Sequence, residues 1–370
     1  MNSPKRFAVI GRGIAGLMAA YHLKSAGYEP TVFGFKGDRA SAAAQGILAN
    51  KGLIFFDSPL FKAKLKSLAS MQIFLDALEV ESGYPIPRSF RGVSEPYWDR
   101  EDFQKTISRI YRHKFWGAHQ TVDREGWADG PETTRKPLGE LFYPNDGWFD
   151  PLALLNALEG YLRDRGTVFM ENHVSAFRAH SDDSVSIQTK ERDAPYTFDR
   201  IILASGAGTG LLWEAAGLKA EKMFFIGGQT LALPRQAAEQ EPKIIVKGTR
   251  SLALLKEQVI LGSSSWKGFE SDDVKADAEA ILSEAQVHFG LKFTGPYESR
   301  TGVRFRFKDR MPLVGWVSTG PLAQKLYLMT GFYKNGMHLA ETCAKEMLLD
   351  VAEKGDERLY PEFSPRRFSV

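Results

Sequence analysis

The stretch FAVIGRGIAGLMAAYHL, residues 7–23, constrains the fold more than any other part of the 370-residue chain. An apolar run ends at Gly11, a helical pattern follows as far as Gly27, and a second apolar run, YEPTVF, comes next. This order of strand, glycine-rich turn, helix and strand is the context that the GxGxxG fingerprint requires. Gly11 permits the tight turn, Gly13 lets the backbone approach a pyrophosphate, and Gly16 allows close packing of helix on strand. The sequence therefore predicts a dinucleotide-binding unit whose helix N-terminus faces the phosphates.

The end of the second strand departs from this fingerprint. Gly34 stands where such units usually carry the acid that binds a ribose. The ribose is then expected to be held by water, by backbone amides, or by Asp38 or Arg39 of the following loop. Lys36 and Arg39 also leave an NADP-type cofactor open, because a basic side chain can hold a 2′-phosphate. Arg12, between the glycines, is expected either near a phosphate or in solvent.

Composition limits the class of protein. With 43% hydrophobic residues the chain can bury a large core, and its length suggests two joined domains. The 48 Lys and Arg residues against 45 Asp and Glu residues give a charge of +3, too slight to indicate nucleic-acid binding. Cys343 is the single cysteine, so no intrachain disulfide or cysteine metal cluster is expected, and a cytoplasmic setting fits best. No run approaches the ~20 apolar residues of a membrane span.

Further segments match one known pattern in the same order along the chain. They are RASAAAQGILAN at 39–50, FDPLALLNAL at 149–158 with HVSAF at 173–177, IILASGAGTGLL at 201–212, TGVRFRFKDRMPLVG at 301–315, and GFYKNGMHLAETCAKEML at 331–348. With them the chain resembles the FAD-dependent oxidoreductases of the D-amino-acid oxidase superfamily, in its glycine oxidase and sarcosine oxidase branch. The resemblance implies FAD, bound non-covalently because Cys343 lies within the final helix pattern.

The resemblance also implies an architecture. The expected fold is α/β, with a Rossmann-like FAD-binding domain interleaved with an α+β substrate domain that carries a mostly antiparallel sheet. Residues 1–55, 146–215 and 300–370 are assigned to the first domain, and residues 56–145 and 216–299 to the second. Local patterns add short helices within 59–82, a helix capped by Asp150, and a last helix over about 336–352.

A set of cofactor residues follows from the resemblance. Those expected to contact FAD are Gly11, Arg12, Gly13, Ile14, Gly16, Arg39, Ser41, Gln45, Gly46, Ile47, Val174, Ala204, Ser205, Gly206, Gly331, Lys334, Asn335, Gly336 and Met337. Among these, Ser41 is implied to meet the pyrophosphate, and Val174 to contact the adenine through its backbone. The final helix is implied to direct its N-terminus at the flavin carbonyl, where its dipole favours the reduced state.

The implied activity is oxidation of a C–N bond of an amino acid or secondary amine, by hydride transfer to flavin N5. Arg304 is the candidate for the substrate carboxylate, because a guanidinium fork forms two parallel charge-assisted bonds with one. Tyr333 and Lys334 are the other catalytic candidates, with Lys334 either a second cation or a solvent lysine. Arg306 and Lys308 are interpreted as residues of the solvent-exposed face of the same strand.

Two departures keep alternatives open. The strand SLALLKEQ at 251–258 lacks the tyrosine that the resemblance leads us to expect, and Phe305 replaces a proline after the substrate arginine. The alternatives are flavin-dependent modification of a macromolecule such as tRNA, or a non-catalytic flavin-binding protein. A small-molecule substrate is favoured, and the electron acceptor is oxygen or an unknown compound.

Overall fold

The computed structural model describes residues 5–37, 39–50, 58–112, 120–122, 137–219, 221–235, 242–248, 250–289, 295–352 and 360–368. Asp38, one candidate for holding the ribose, lies outside these residues. The α-helices are α1 (Ile14–Ser25), α2 (Pro59–Ser82), α3 (Arg100–Arg112), α4 (Pro151–Asp164), α5 (Thr209–Ala215), α6 (Val274–Phe289) and α7 (Gly336–Val351).

The strands fall into four sheets. In chain order they are β1 (Arg6–Ile10), β2 (Glu29–Phe33), β3 (Ile47–Leu48), β4 (Arg88–Ser89), β5 (Val93–Tyr97), β6 (Gln120–Val122), β7 (Gly139–Tyr143), β8 (Gly147–Phe149), β9 (Val168–Met170), β10 (Val174–Ala179), β11 (Val185–Thr189), β12 (Arg192–Phe198), β13 (Arg200–Leu203), β14 (Met223–Pro234), β15 (Lys243–Lys247), β16 (Arg250–Leu254), β17 (Gln258–Gly262), β18 (Trp266–Lys267), β19 (Glu298–Phe307), β20 (Leu313–Trp316) and β21 (Leu326–Thr330).

The first sheet is the predicted dinucleotide-binding core. Its order is β20-β21-β13-β1-β2-β9, and its strands are parallel except for β20. Helices α1, α4 and α7 lie on one face, and the antiparallel meander β10-β11-β12 covers the other. Helix α1 is buried from Ile14 to Leu23 because neighbouring helices and the sheet enclose it. Asp150 caps α4 by accepting bonds from the amides of Leu152 and Ala153, as predicted.

The largest sheet is mostly antiparallel, as the sequence predicts for the second part of the molecule. Its path is β18-β14-β17-β16-β15-β5-β7-β6, with β19 paired along β14. Among the described strands of this sheet, β15 and β5 pair in parallel and the other pairs are antiparallel. Helix α6 covers one face, burying Ala278, Ile281 and Phe289 against apolar residues of β14, β16 and β17. This mixture of a Rossmann-like part and a sheet-containing part confirms the predicted fold class.

The other face of the large sheet receives residues 40–46, the loop after β2. Gly302 on β19 faces this loop so closely that a Cβ there would lie 2.6 Å from Ala40 Cα. Thr230 Oγ1 on β14 donates to the carbonyl of Ala43 at 3.1 Å. Gln45 Nε2 reaches the carbonyl of Ser251 at 3.2 Å, and Gly262 leaves room for the Gln45 side chain. These contacts join the two parts of the molecule along one seam.

Two local expectations need correction. Residues 59–82 form one helix, α2, instead of several short ones, with Ser58 capping its N-terminus. The apolar pattern does not reveal one long helix, because the inner face of α2 includes the buried polar residues Lys64 and Ser67, which interrupt it. The predicted domain boundary at residue 300 falls inside β19, so this strand extends the large sheet across it.

No helix within the described ranges is both long enough and apolar enough to cross a membrane.

A single added methyl group tests the seam. In Gly302→Ala the new Cβ would meet Ala40 backbone, so we expect the free energy of unfolding to fall by about 2 kcal/mol through overpacking. Urea unfolding of the variant measures this loss. Gly37→Ala is the matched control, because nothing lies within 4 Å of a Cβ at that position. Equal stability of the two variants would contradict the described packing.

Candidate FAD and substrate site

The glycine turn has the close approaches that its sequence predicts. Gly11 adopts φ +124°, and a Cβ there would collide with the carbonyl of Ala204 and lie 2.9 Å from Ser205 Cα. A Cβ at Gly16 would collide with the carbonyl of Gly11. Only glycine fits these positions. The turn after β1 and the segment after β13 therefore meet at the carboxyl-terminal edge of the parallel sheet, where such sheets bind ligands.

Two helix N-termini begin at this edge. Ser41 Oγ accepts the amide of Ile14 at 2.9 Å, which brings the predicted pyrophosphate serine to the start of α1. Helix α7 starts at Gly336 with no side-chain cap and no acidic residue in its first turn. A Cβ at Gly336 would lie 3.3 Å from Ile14 Cγ2, so the two N-termini are neighbours. Both direct positive dipole ends to one region.

The predicted flavin loop is fixed from both sides. Gly46 adopts φ +78°, and a Cβ there would collide with the carbonyl of Phe149. The indole N–H of the buried Trp148 donates to the carbonyl of Gln45 at 2.8 Å. Ile47 follows in β3, paired with Trp148 of β8. The loop is thereby held in a single path beside the N-termini of α1 and α7.

Arg12 is buried, so the solvent alternative for its side chain is wrong. Its guanidinium donates to both oxygens of Glu159, at 3.2 and 2.8 Å, and to Glu171 Oε1 at 2.8 Å. Arg39 Nη1 also binds Glu159 Oε1, at 2.7 Å, and the carbonyl of Arg12, at 2.9 Å. Phe169 lies under the Arg12 guanidinium at 4.9 Å. Two arginines of the cofactor segments thus share one buried carboxylate from α4.

This cluster controls the ionisation of Glu159. Burial by itself would raise the pKa of the carboxyl, but the hydrogen bonds and charges of Arg12 and Arg39 lower it overall. Glu159 therefore stays ionised, and the two arginines are compensated where they lie.

The substrate candidates come together at the far end of the seam. Arg304 lies on β19 opposite Ile226, and its guanidinium covers Gly228 of β14 so closely that a Cβ there would collide with it. Its Nη1 reaches Ser265 Oγ at 3.4 Å. Burial lowers the pKa of Arg304, whereas the neighbouring Tyr333 raises it. Burial and then the charge of Arg304 lower the pKa of Lys334, which places the two cations close together.

The surroundings of these cations contain no compensating acid in the described part of the chain. Among the described residues, the charged or titratable neighbours that shift the pKa of Arg304 or Lys334 are Tyr333 and Arg304 itself. Tyr333 adopts φ +54°, a backbone conformation that is strained for a residue with a side chain. Two cations without an anion, beside a strained residue, form a site that attracts an anionic ligand.

The remaining candidates have simpler environments. Lys308 is exposed, as interpreted. Arg306 is half-buried, and its Cζ lies 4.1 Å from the centroid of the Phe224 ring, so it does not belong to a solvent-exposed face. Lys267 is exposed. Met337 and Cys343 belong to α7 and are buried in the hydrophobic core. Val174 begins β10, close in sequence to Glu171.

Sequence reasoning missed several residues of the site. Glu159 and Glu171 gave no signal, because their role depends on register and helix packing. Gly228 makes room for Arg304 and Ser265 contacts it, but neither residue belongs to a recognisable sequence motif. Trp266 packs against Gly227, and its buried indole N–H has no hydrogen-bond partner among the described residues. The dipeptide Gly227-Gly228, at the middle of an otherwise bulky strand, was the one available clue.

Comparisons with known proteins place the chain in a family. Residues 6–348 match the family described as FAD dependent oxidoreductase, DAO. Glycine oxidase of Geobacillus kaustophilus is 23% identical over 345 residues, covering 90% of this chain and 89% of that protein. Its crystal structure superposes with a TM-score of 0.83 at 21% identity over 97% of this chain and 98% of that one.

Two more relatives extend the comparison. Iminodiacetate oxidase of Chelativorans sp. BNC1 superposes with a TM-score of 0.82 at 17% identity, covering 98% of this chain and 99% of that one. The tRNA 5-methylaminomethyl-2-thiouridine biosynthesis bifunctional protein of Magnetococcus marinus is 23% identical over 332 residues, which span 83% of this chain and 47% of that protein. The chain belongs to the family of DAO-type FAD-dependent oxidoreductases.

The residues present fit FAD. Gly11 and Gly16 bring backbone close enough for a pyrophosphate at the start of α1, and Ser41 adds a hydroxyl there. The uncapped N-terminus of α7 offers N–H groups on the other side. Since Cys343 is buried in the core, it lies apart from these groups. The chain is accordingly an FAD-dependent oxidoreductase, and the individual contacts with FAD remain predictions.

Removal of the shared carboxylate tests the buried cluster. In Glu159→Gln, Arg12 and Arg39 lose their common negative partner, so we expect a loss of about 3 kcal/mol in the free energy of unfolding at neutral pH. Urea unfolding measures it. Glu214→Gln, at an exposed site of α5, serves as control and should be neutral.

The same variant should change the acid dependence of stability. The folded pKa of Glu159 lies below its ordinary value of 4.5, so its stabilisation is present above 4.5 and is lost as pH falls through the folded pKa. The stability difference between the parent and Glu159→Gln should therefore shrink as pH decreases below 4.5. A difference that is constant with pH would contradict this account.

Proposed function

We propose that this protein oxidises a C–N bond of a small amino acid or secondary amine whose carboxylate binds to Arg304. The observation that carries the proposal is the uncompensated cation pair of Arg304 and Lys334, at the seam beside the predicted flavin loop. When bound, FAD supplies the acceptor for the two electrons that leave the substrate. The chain itself supplies binding, orientation and electrostatics.

Arg304 is suited to a carboxylate for geometric reasons. It projects from β19 across a strand that has glycine at position 228, so the guanidinium lies flat and half-buried against backbone. A planar fork held in this way can form two parallel bonds with a carboxylate. Its only side-chain hydrogen bond in the described residues is the long one to Ser265, which leaves other N–H groups for a ligand.

Lys334 supports the same assignment from a different segment of the chain. It belongs to the segment that leads into α7, so it connects the anion site to the helix N-terminus at which the flavin is predicted to lie. Two like charges held close together repel each other until an anion binds. An acidic substrate would relieve that repulsion, and the proposal therefore favours substrates with a carboxylate over simple amines.

The neighbourhood also accounts for the absent tyrosine. Strand β16 carries Ser251, Leu252, Ala253 and Leu254 where the resemblance leads us to expect a phenol. Lys334 is then the second polar group for a carboxylate, in place of an uncharged hydroxyl. The similarity of the chain to a glycine oxidase and an iminodiacetate oxidase supports a small substrate, because both names denote oxidases of small carboxylated amines.

Replacement of Arg304 tests the carboxylate assignment. For Arg304→Ala we expect the KM of a carboxylated amine to rise about 100-fold, the consequence of losing two charge-assisted bonds worth about 3 kcal/mol together. The flavin content of the purified variant should equal that of the parent, because Arg304 is not assigned to FAD. Lys308→Ala, an exposed residue just beyond the same strand, should leave KM unchanged. Unaltered KM in Arg304→Ala would refute the assignment.

The pH dependence of anion binding tests Lys334. Its lowered pKa means that the ammonium loses its proton at lower pH than an ordinary lysine, whose pKa is 10.5. We expect the Kd for acetate, measured by perturbation of the flavin spectrum, to rise about tenfold as the pH approaches that value. In Lys334→Arg the charge persists and the Kd should stay flat over the same range. Identical profiles for the two proteins would exclude Lys334 from the anion site.

A further inference from the structure

The glycine at the end of β2 has a conformational cause. Gly34 adopts φ +144°, and a Cβ there would lie 3.1 Å from Arg12 N and 3.3 Å from Arg12 Cβ. A side chain at this position would be strained and crowded. An acid that binds the adenosine ribose must therefore come from another part of the chain.

The neighbouring strand places an acid at the same edge. Strands β2 and β9 are parallel, with Phe33 opposite Met170, and the amide of Gly34 donates to the carbonyl of Met170 at 2.9 Å. Glu171 follows Met170 directly, so it lies beside Gly34 at the carboxyl-terminal end of the sheet. Ligands of open α/β sheets bind along this edge.

The carboxylate of Glu171 is oriented and only partly used. Its Oε1 accepts a bond from Arg12 Nη1 at 2.8 Å, while its side chain is 58% exposed. In the described part of the chain, Oε2 accepts no hydrogen bond. Glu159, the other acid of the cluster, is 6% exposed, and both of its oxygens are bound by arginines. Glu171 is therefore the member of the cluster that can receive a ligand.

We propose that Glu171 accepts the hydroxyl groups of the adenosine ribose of FAD, with Arg12 as the residue that positions it. Glu159 holds Arg12 from one side, and Arg12 in turn holds Glu171 at the surface. Val174, whose backbone is predicted to contact the adenine, begins the next strand three residues further on. The proposal requires FAD binding but does not depend on the substrate assigned to Arg304.

Titration of the apoprotein with flavins tests the proposal. In Glu171→Ala the affinity for FAD should fall at least tenfold, because the hydrogen bond from a ribose hydroxyl to an ionised carboxylate is lost. The affinity for FMN, which has no adenosine, should be unchanged. The matched control is Glu29→Ala: Glu29 is also half-exposed and paired with one cation, Lys24, but lies at the opposite end of β2. This control should bind FAD as the parent does.

An FAD analogue without the adenosine 2′-hydroxyl makes the comparison decisive. The parent should bind the analogue several-fold more weakly than FAD, whereas Glu171→Ala should bind the two alike. Glu171→Gln, which retains an acceptor for Arg12 but not the charge, should discriminate between them less than the parent. Undiminished discrimination in both variants would overturn the proposal, as would equal losses of FAD and FMN affinity, which would indicate a structural role only.

Discussion

The rest of the structure depends on the close packing of residues 40–46 against the face of the large sheet. This contact requires strand positions without side chains, and Gly262 of β17 and Gly302 of β19 provide them on two different strands. It brings the loop beside the helix N-termini against β19, two residues from Arg304. One packing constraint therefore determines both where the flavin is predicted to lie and where a substrate anion can bind beside it.

The cations of the candidate site form two groups that differ in whether an acid compensates them. One group supports the structure, and the other is available to bind a ligand. Arg12 and Arg39 are buried, but Glu159 compensates them, so they hold the cofactor turn and the strand ends in register. Arg304 and Lys334 have no such acid among the described residues, and burial lowers the pKa of each. A folded protein retains an uncompensated pair of this kind at a cost in stability, which is typical of functional sites.

Much of this arrangement was accessible from the sequence, since it rests on local rules. The glycine turn, the Asp150 cap and the segment leading into α7 each specify backbone geometry within a few residues. What the sequence could not supply depends on distant strands: the positive φ of Gly34 against Arg12, and the register that places Glu171 beside it. The single long helix α2 was missed for a different reason, because polar residues occupy part of its inner face.

The central claim is that a carboxylate recognised by Arg304 and Lys334 positions the substrate for oxidation. The most direct measurement is anaerobic reduction of the FAD-loaded protein by pairs of compounds, each an amino acid or N-substituted amino acid and the amine that lacks only its carboxylate. The account predicts that the absorption band of oxidised flavin disappears with the carboxylated member of a pair and persists with the other. Equal reduction by both members, or no reduction by any compound while FAD remains bound, would contradict it.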